Sequence, residues 1–413
     1  MTSAAAVRLA FGLVVGMALI ATPVAHPAAS AAEGRVVAIG DVHGSDEGLV
    51  AILRSARLID QQNHWTGGTA TLVQTGDVTD RGAAVKRVFD LLRALEKEAP
   101  KSGGRVVPVM GNHEAMNLLG ELRDVTPAIC ASFAGPDGEA VREKAWRSYE
   151  ALVSRRAVTR RGENPPGLTR TREGFLGAYH LGCVEYRLAL GPQGEYGRWL
   201  RQLPIAAMVQ GTVFMHAGLS PLGTRASLDE LNTRARDEIR RFDRFLERLV
   251  RANLAAPWFR LEDTLAIAAA EVRWTNALVV AAKERGEPLD LGDVDVALVR
   301  EAVEVLGIGE WSLLDGDGPL WYRGYALADE AALDGPFTRL LAHWSAEHLV
   351  LGHTVNRDFR IQTRLGERLF LIDTGMLAPV YKGRASALEL DEGRVTALYD
   401  DGTRTMLVPR SVP

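Results

Sequence analysis

Six side chains that could bind metal ions follow apolar segments of the chain, most of them beside a glycine. They are Asp41, His43, Asp77, Asn112, His216 and His353. Carboxylate, amide and imidazole groups together form the mixed oxygen and nitrogen ligand set that suits Mn, Fe or Zn. A single Gly-Asp or Gly-His pair is more often a turn than a ligand. Six such groups at comparable places in the chain nevertheless predict a metal site.

The apolar segments that precede these residues are continuous rather than alternating, which is typical of strands covered on both faces. They run from Val36 to Asp41, Thr71 to Asp77, Val106 to Asn112, Val213 to Gly218, His348 to Thr354 and Leu369 to Gly375. In a layered α/β protein, ligands bind beyond the carboxyl ends of the strands. The sequence therefore predicts an α/β fold with the polar residues gathered at those ends.

Helical spacing follows the first two strands, with apolar faces that include Leu49 and Ile52 after the first and Val88 and Leu92 after the second. Two insertions interrupt the pattern, at about 118–203 and 227–314, and the second is almost wholly helical, as expected of a cap. After Gly383, turn signals at 391–393 and 400–402 predict closing antiparallel hairpins.

The N-terminus has the layout of a secretory signal peptide, with Arg8 before an apolar run from Leu9 to Ala21 and small residues up to Ala32. The run is shorter than the roughly 20 residues that span a bilayer. We expect cleavage near Ala32, which divides the chain into a signal peptide, 1–32, and a mature domain, 33–413. The mature protein would be exported, periplasmic or extracellular, and would keep no stable membrane span.

Export would place the two cysteines, Cys130 and Cys183, in an oxidising compartment. A disulfide and two buried free thiols both remain possible from the sequence. The formal net charge of -4 and the pI near 6.2 argue against a general nucleic-acid binder, which needs a basic face.

The motifs GDVHG, GDVTDRG, GNHE, HAG and GHT, which begin near Asp41 and end near His353, resemble the signature of calcineurin-like metallophosphoesterases of the phosphoprotein-phosphatase type. The HAG and GHT variants and the segment 321–324, Trp-Tyr-Arg-Gly, resemble the Shewanella-like protein phosphatases in particular. The resemblance covers most of the mature chain but not the two insertions. It implies a β-sandwich flanked by helices, with the helical cap inserted.

The resemblance also implies a role for each motif residue. Asp41 and His43 would bind one metal ion and Asn112, His216 and His353 a second, with Asp77 between them, so that a hydroxide held by both metals attacks phosphorus. His113 would be the general acid and Asp80 would orient its ring, while Arg81 and Arg323 would bind phosphoryl oxygens. Glu114 is expected to make structural hydrogen bonds, and Asp373 is treated as a turn residue outside the metal set.

The sequence therefore predicts a phosphomonoester hydrolase with two metal ions, whose substrates are phosphorylated proteins or peptides, with phosphotyrosine or phosphoserine and phosphothreonine as the target. Small phosphate esters are further possible substrates. Hydrolysis of nucleotides or diadenosine polyphosphates is an alternative, because similar metal sites perform it. An inactive metal-binding interaction module is a third hypothesis, which the intact His113, Asp80 and Arg81 argue against.

Overall fold

Two β-sheets form the centre of the computed structural model, which describes residues 34–159, 168, 170–220, 226–288 and 294–410. The predicted signal peptide lies outside the described residues. The strands are β1 Val36–Ile39, β2 Thr71–Gln74, β3 Arg105–Pro108, β4 Ala206–Val209, β5 Thr212–Met215, β6 His348–Leu351, β7 Gln362–Arg364, β8 Leu369–Leu371, β9 Ser386–Asp391, β10 Arg394–Tyr399 and β11 Arg404–Val408.

The first sheet has the order β11-β10-β9-β1-β2-β3 and the second has the order β4-β5-β6-β8-β7. In the first, β1, β2 and β3 are parallel, and in the second β5, β6 and β8 are parallel. Each parallel set corresponds to three of the six predicted apolar strands. The hairpins β9-β10 and β10-β11 are antiparallel, as the turn signals predict.

The two sheets pack face to face around one buried cluster of apolar side chains. Ala38 and Val73 enter it from the first sheet, and Phe214, Val350 and Phe370 enter it from the second. Because side chains alternate across a strand, the neighbouring residues point outward and are covered by helices. This is the β-sandwich flanked by helices that the resemblance implies.

Helices connect the strands and cover the sheets. They are α1 Asp46–Ser55, α2 Val85–Glu98, α3 Asn112–Leu119, α4 Pro127–Phe133, α5 Gly138–Thr159, α6 Arg172–Ala178, α7 Cys183–Leu190, α8 Glu195–Leu200, α9 Leu228–Arg251, α10 Leu261–Arg285, α11 Val296–Leu306, α12 Gly324–Leu327, α13 Glu330–Trp344 and α14 Ala378–Tyr381. Short 3-10 helices cover Ala99–Ser102 and Ile308–Glu310. The apolar faces predicted for α1 and α2 are buried, which confirms those two helices.

Helices also make up the two long segments outside the sheets, with α4 to α8 between α3 and β4 and α9 to α11 after β5. A disulfide joins Cys130 in α4 to Cys183 at the start of α7. The sequence left this pairing open, and the structure contains it.

The helix α10 is long and apolar enough to cross a membrane by length and composition alone, and 28% of its most apolar window is buried. A core helix of a soluble protein passes the same test, so this helix is weak evidence for a membrane span.

Candidate active site

The six predicted metal ligands lie at the carboxyl ends of parallel strands from both sheets. Asp41 and His43 follow β1, Asp77 follows β2 and Asn112 begins α3 after β3, while His216 directly follows β5 and His353 follows β6. All six are buried, with exposed fractions of 6% or less. The strand ends of two sheets thus place in one region side chains that are up to 312 residues apart in sequence.

Asp77 lies at the centre of this group. Its Oδ2 is 3.3 Å from Nε2 of His216 and 3.6 Å from Nε2 of His43. Two sets of ligand atoms, each within 4.8 Å of one another, share it: one contains His43 and His113, the other His216 and His353. A carboxylate shared by two such sets has the position of a bridging ligand.

Backbone carbonyl groups fix the orientation of the three histidine rings. Nδ1 of His43 lies 2.8 Å from the Thr79 carbonyl, and Nδ1 of His216 lies 2.9 Å from the Thr75 carbonyl. Nε2 of His353 lies 3.0 Å from the Trp321 carbonyl. Each ring donates a proton to its carbonyl, so its other nitrogen faces the site and can bind a metal ion once it carries no proton, as in metal-binding histidines.

The site-facing nitrogens of His216 and His353 and the amide oxygen of Asn112 converge on one another. Nε2 of His216 is 2.8 Å from Oδ1 of Asn112 and 3.0 Å from Nδ1 of His353. Burial lowers the pKa of His43 to about 3 and that of His353 to about 2, which keeps both rings neutral at pH 7. Imidazole nitrogens, an amide oxygen and carboxylates gathered at one place form the ligand set of a metal cation, which would displace any proton held there.

Burial opposes a charge on His216, but the carboxylates of Asp77 and Asp41 outweigh it and raise the pKa of His216 to about 9. Burial likewise favours the neutral acid of Asp77, yet the charges of His216 and His113 hold its pKa well below the ordinary value. Positive charge therefore already gathers around the Asp77 carboxylate, and a metal ion would take over this role.

Asp41 has a second carboxylate beside it. Its Oδ1 accepts a hydrogen bond from the backbone N–H of His353 at 2.9 Å, and the buried carboxyl group of Asp373 lies close enough to act on its charge. Burial and the charge of Asp373 raise the pKa of Asp41 well above its ordinary value, and burial raises the pKa of Asp373 to about 6. Asp373 also accepts from the N–H of Gly375, so it is a turn residue that in addition contacts a predicted ligand.

The loops that carry the site adopt backbone conformations that side chains rarely take. His43, Asp77, Asp80, Arg81 and His353 all have positive φ, between 46° and 70°. Such conformations cost on the order of 1–3 kcal/mol each and persist only where surrounding contacts enforce them.

One such contact is the close approach of the loops after β1 and β2. The N–H groups of Val42 and His43 both donate to the Asp77 carbonyl at 2.9 Å. Gly82 donates to the His43 carbonyl at 3.0 Å, and a Cβ at Gly82 would lie 2.3 Å from that oxygen. The glycine that ends the GDVTDRG motif is therefore required by this approach.

Glu114 stabilises the loop after β2 through hydrogen bonds from its buried carboxylate. Its Oε2 accepts from the N–H groups of Asp77 at 2.7 Å and Gly111 at 2.8 Å. Its Oε1 accepts from the N–H groups of Val78 and Thr79 and from the Thr79 hydroxyl, at 2.8–3.0 Å. The structural role predicted for Glu114 is thus five hydrogen bonds to the loops that hold the predicted bridging ligand.

The predicted acid and its partner are also in contact. Nδ1 of His113 lies 2.6 Å from Oδ2 of Asp80, and Nε2 of His113 faces the ligand group, 3.8 Å from Oδ2 of Asp77. Burial opposes a charge on His113, but the carboxylates of Asp77 and Asp80 outweigh it, and its pKa is raised. With Nδ1–H directed at Asp80, the ring can hold a second proton at Nε2, toward the site.

The two predicted arginines lie on either side of the ligands. Nη1 of Arg81 is 2.6 Å from Nε2 of His43, and the same group donates to the Tyr381 hydroxyl. Nη1 of Arg323 donates to the His353 carbonyl and to Oγ1 of Thr354, both at 2.9 Å. Both guanidinium groups are thus placed within reach of an anion at the metal ligands.

The structure brings all ten predicted site residues into one region. Sequence reasoning did not find Tyr381, which contacts Arg81, or Asn117, whose side chain donates to Asp80. Asn117 could have been found, because it follows His113 by one helical turn and faces the same side of α3. Tyr381 stands in no recognised motif.

The comparisons with known proteins agree with this geometry. The family model for calcineurin-like phosphoesterases matches residues 34–357. Shewanella-like protein phosphatase 1 of Plasmodium berghei is 25% identical over 373 residues, 88% of this chain and 74% of that protein. Shewanella-like protein phosphatase 2 of Arabidopsis thaliana is 30% identical over 234 residues, 55% of this chain and 57% of that protein.

Among solved structures, a mutant cold-active protein tyrosine phosphatase superposes with a TM-score of 0.54 at 23% identity. The match covers 91% of this chain and 80% of the other, which supports the fold. The family match covers β1 to β6 and all six predicted metal ligands, and it confirms the expected fold and enzyme class. The chain therefore belongs to the calcineurin-like phosphoesterase family, as a metal-dependent hydrolase of phosphate esters.

Proposed function

We propose that this enzyme is a protein phosphatase with two metal ions, which removes phosphate from phosphorylated proteins or peptides, phosphotyrosine among them. The observation that carries the proposal is the His113–Asp80 pair, 2.6 Å apart, directed at the Asp77 carboxylate between the two ligand sets. The names of the two relatives described above as protein phosphatases support the substrate class.

Asp41 and His43 would hold one metal ion and Asn112, His216 and His353 the other, with Asp77 bridging. The donor set suits Mn, Fe or Zn. Bound there, metal ions supply Lewis acidity to the phosphoryl oxygens and a lowered pKa to bound water.

The protein's own groups do the remaining work. Arg81 and Arg323 bind and orient the phosphoryl oxygens with planar, permanently charged guanidinium groups. His113 holds a proton at Nε2 and transfers it to the leaving oxygen of the substrate. Asp80 keeps the ring in the orientation that makes this transfer possible and stabilises its positive charge.

An open groove that reaches Tyr322 favours peptides over dinucleotides. The groove has a volume of about 1330 Å³. Tyr322, which lines it, is the sequence neighbour of Arg323 and of Trp321, whose backbone carbonyl bonds to His353. Its described lining contains two arginines, Arg234 and Arg241, and seven acidic residues, Asp229, Glu230, Asp237, Glu238, Glu310, Asp315 and Asp317. Excess negative charge disfavours a polyphosphate ligand and tolerates a basic peptide.

We also propose that the enzyme is exported. The signal-like N-terminus and the Cys130–Cys183 disulfide support this, because disulfides persist mainly in oxidising compartments.

Phosphate release from a matched substrate panel tests the proposed activity. The panel contains a phosphotyrosine peptide, a phosphoserine peptide, a nucleoside monophosphate and diadenosine tetraphosphate, each with Mn, Zn or chelator. We expect metal-dependent turnover of the peptides. Turnover of the nucleotides alone would show that nucleotides, not phosphopeptides, are the substrates. If the metal-loaded protein released no phosphate from any substrate, the protein would be a binding module.

A further inference from the structure

The carboxylate of Asp80 has a second buried partner on α3. Nδ2 of Asn117 donates to Oδ1 of Asp80 and to the His113 carbonyl, both at 2.9 Å. Asp80 and Asn117 are fully buried and His113 is 4% exposed. The Asn117 amide therefore holds the Asp80 carboxylate from the side opposite to His113, where water cannot substitute for it.

The direction of this amide is set by a residue of α7, in the helical segment between α3 and β4. The Tyr186 hydroxyl donates to Oδ1 of Asn117 at 2.7 Å, and the Tyr186 side chain is fully buried. If the amide turned over, its oxygen would face the Asp80 carboxylate and the two bonds from Nδ2 would be lost. Tyr186 thus stabilises the one orientation in which Asn117 donates to Asp80.

Arg187, the residue after Tyr186 in α7, bonds through its side chain to the backbone of the same turn of α3. Nη1 of Arg187 donates to the Asn117 carbonyl at 2.7 Å, and Nη2 donates to the Phe259 carbonyl at 3.3 Å. Arg187 is 2% exposed. Its cationic group lies at the C-terminal end of α3, where positive charge is favoured.

The position of α7 is itself fixed near its first turn. Cys183, three residues before Tyr186, is disulfide-bonded to Cys130 of α4. Phe133 of α4 packs edge-on against the Tyr186 ring, with the ring centroids 4.9 Å apart. A continuous set of contacts therefore leads from the disulfide through Tyr186 and Asn117 to the Asp80 carboxylate.

We propose that Tyr186 is a positioning residue for proton transfer, which acts through Asn117 to orient the Asp80–His113 pair toward the leaving group. The helical segment that contains α7 thereby takes part in the reaction without touching the substrate. This inference rests on the proposed role of His113 as the acid.

The experiment compares substrates that differ in their need for an acid. A phosphoserine peptide releases an alkoxide that must be protonated, whereas p-nitrophenyl phosphate releases a stable phenolate. We expect Tyr186→Phe to lower kcat for the phosphoserine peptide about tenfold, a part of the contribution of a general acid. The kcat for p-nitrophenyl phosphate and the metal content should change less than about twofold, because the metal ligands are untouched.

Tyr196→Phe is the matched control. Tyr196 is also a buried tyrosine of this segment and packs edge-on against Phe133, but its hydroxyl donates to Asp90 at 2.7 Å, away from Asp80. Its substitution should leave the ratio of the two kcat values unchanged. The same change of ratio in both variants would overturn the proposal, because general loosening of the segment would then explain it.

A double-mutant cycle with Asn117→Ala separates positioning from packing. If Tyr186 acts through Asn117, Tyr186→Phe should have no further effect on the ratio in the Asn117→Ala background. Additive effects would overturn the inference. His113→Ala tests the acid itself. An unchanged ratio of the two kcat values in His113→Ala would refute His113 as the acid. A changed ratio in His113→Ala together with an unchanged ratio in Tyr186→Phe would refute only the role of Tyr186.

Discussion

Glu114→Gln is the most demanding test of how the site is built, because it changes the shape of the side chain very little. The native carboxylate accepts five hydrogen bonds, three at Oε1 and two at Oε2. Glutamine has a single acceptor oxygen. Its best orientation keeps the carbonyl at the Oε1 position, and its amide then faces the N–H groups of Asp77 and Gly111.

Two buried N–H groups would therefore lose their acceptor, at a cost of about 1–3 kcal/mol each. Part of this loss is offset, because burial and the charge of Asp77 already disfavour the ionised form and raise the pKa of Glu114. We expect a net loss of about 3 kcal/mol in the free energy of unfolding. Since the affected loop carries Asp77, metal content and turnover should fall with it.

Urea unfolding, with metal and with chelator, measures the first effect, and elemental analysis of the purified protein measures the second. Glu238→Gln is the control: Glu238 is a buried carboxylate that accepts from Ser312 and Leu313, away from the predicted ligands. It should lose stability and keep its metals. An unfolding free energy of Glu114→Gln within about 1 kcal/mol of the native value, with full metal content, would refute this account of the loop.

Three further predictions follow from the same geometry. Asp77→Ala should lose both metal ions, as measured by elemental analysis, and full metal content in this variant would contradict the bridging position. His113→Ala should keep both metal ions and lose about 10²-fold in turnover of the phosphoserine peptide, as measured by phosphate release. Replacing Cys130 and Cys183 by alanine should cost about 4 kcal/mol of unfolding free energy in urea, given their separation of 53 residues, and a loss below about 1 kcal/mol contradicts a closed disulfide. The pKa of His216 is raised to about 9, so a metal ion must displace its proton at lower pH. The metal affinity measured by calorimetry should therefore rise about tenfold per pH unit between pH 7 and 9. An affinity that does not change with pH would contradict this.

The strands and the ligand positions could be predicted from the sequence because each depends on a local pattern. A continuous apolar run such as Leu349–Leu351 specifies a strand covered on both faces, and the adjoining Gly352-His353 places a ligand at its end. The order of motifs then supplied what a single motif could not, namely which strand ends belong to one site.

The contacts of the helical segments could not be predicted in the same way. Tyr186 is separated by 69 residues from Asn117, and nothing in the spacing of either residue indicates that they meet. The contact of Asp373 with Asp41 was also missed, because Asp-Thr-Gly after an apolar run is equally typical of a simple turn. Pairings between distant segments depend on tertiary packing, which a single sequence does not display.

The hydrogen bond between the His353 N–H and the Asp41 carboxylate closes the site across 312 residues of chain. Asp41 follows β1 and His353 follows β6, so a chain synthesised from its amino end contains Asp41 long before His353 exists. The full set of predicted ligands is present only once β1, β2, β3, β5 and β6 have all been made. The order of residues along the chain therefore delays the metal site until nearly the whole protein is available to fold.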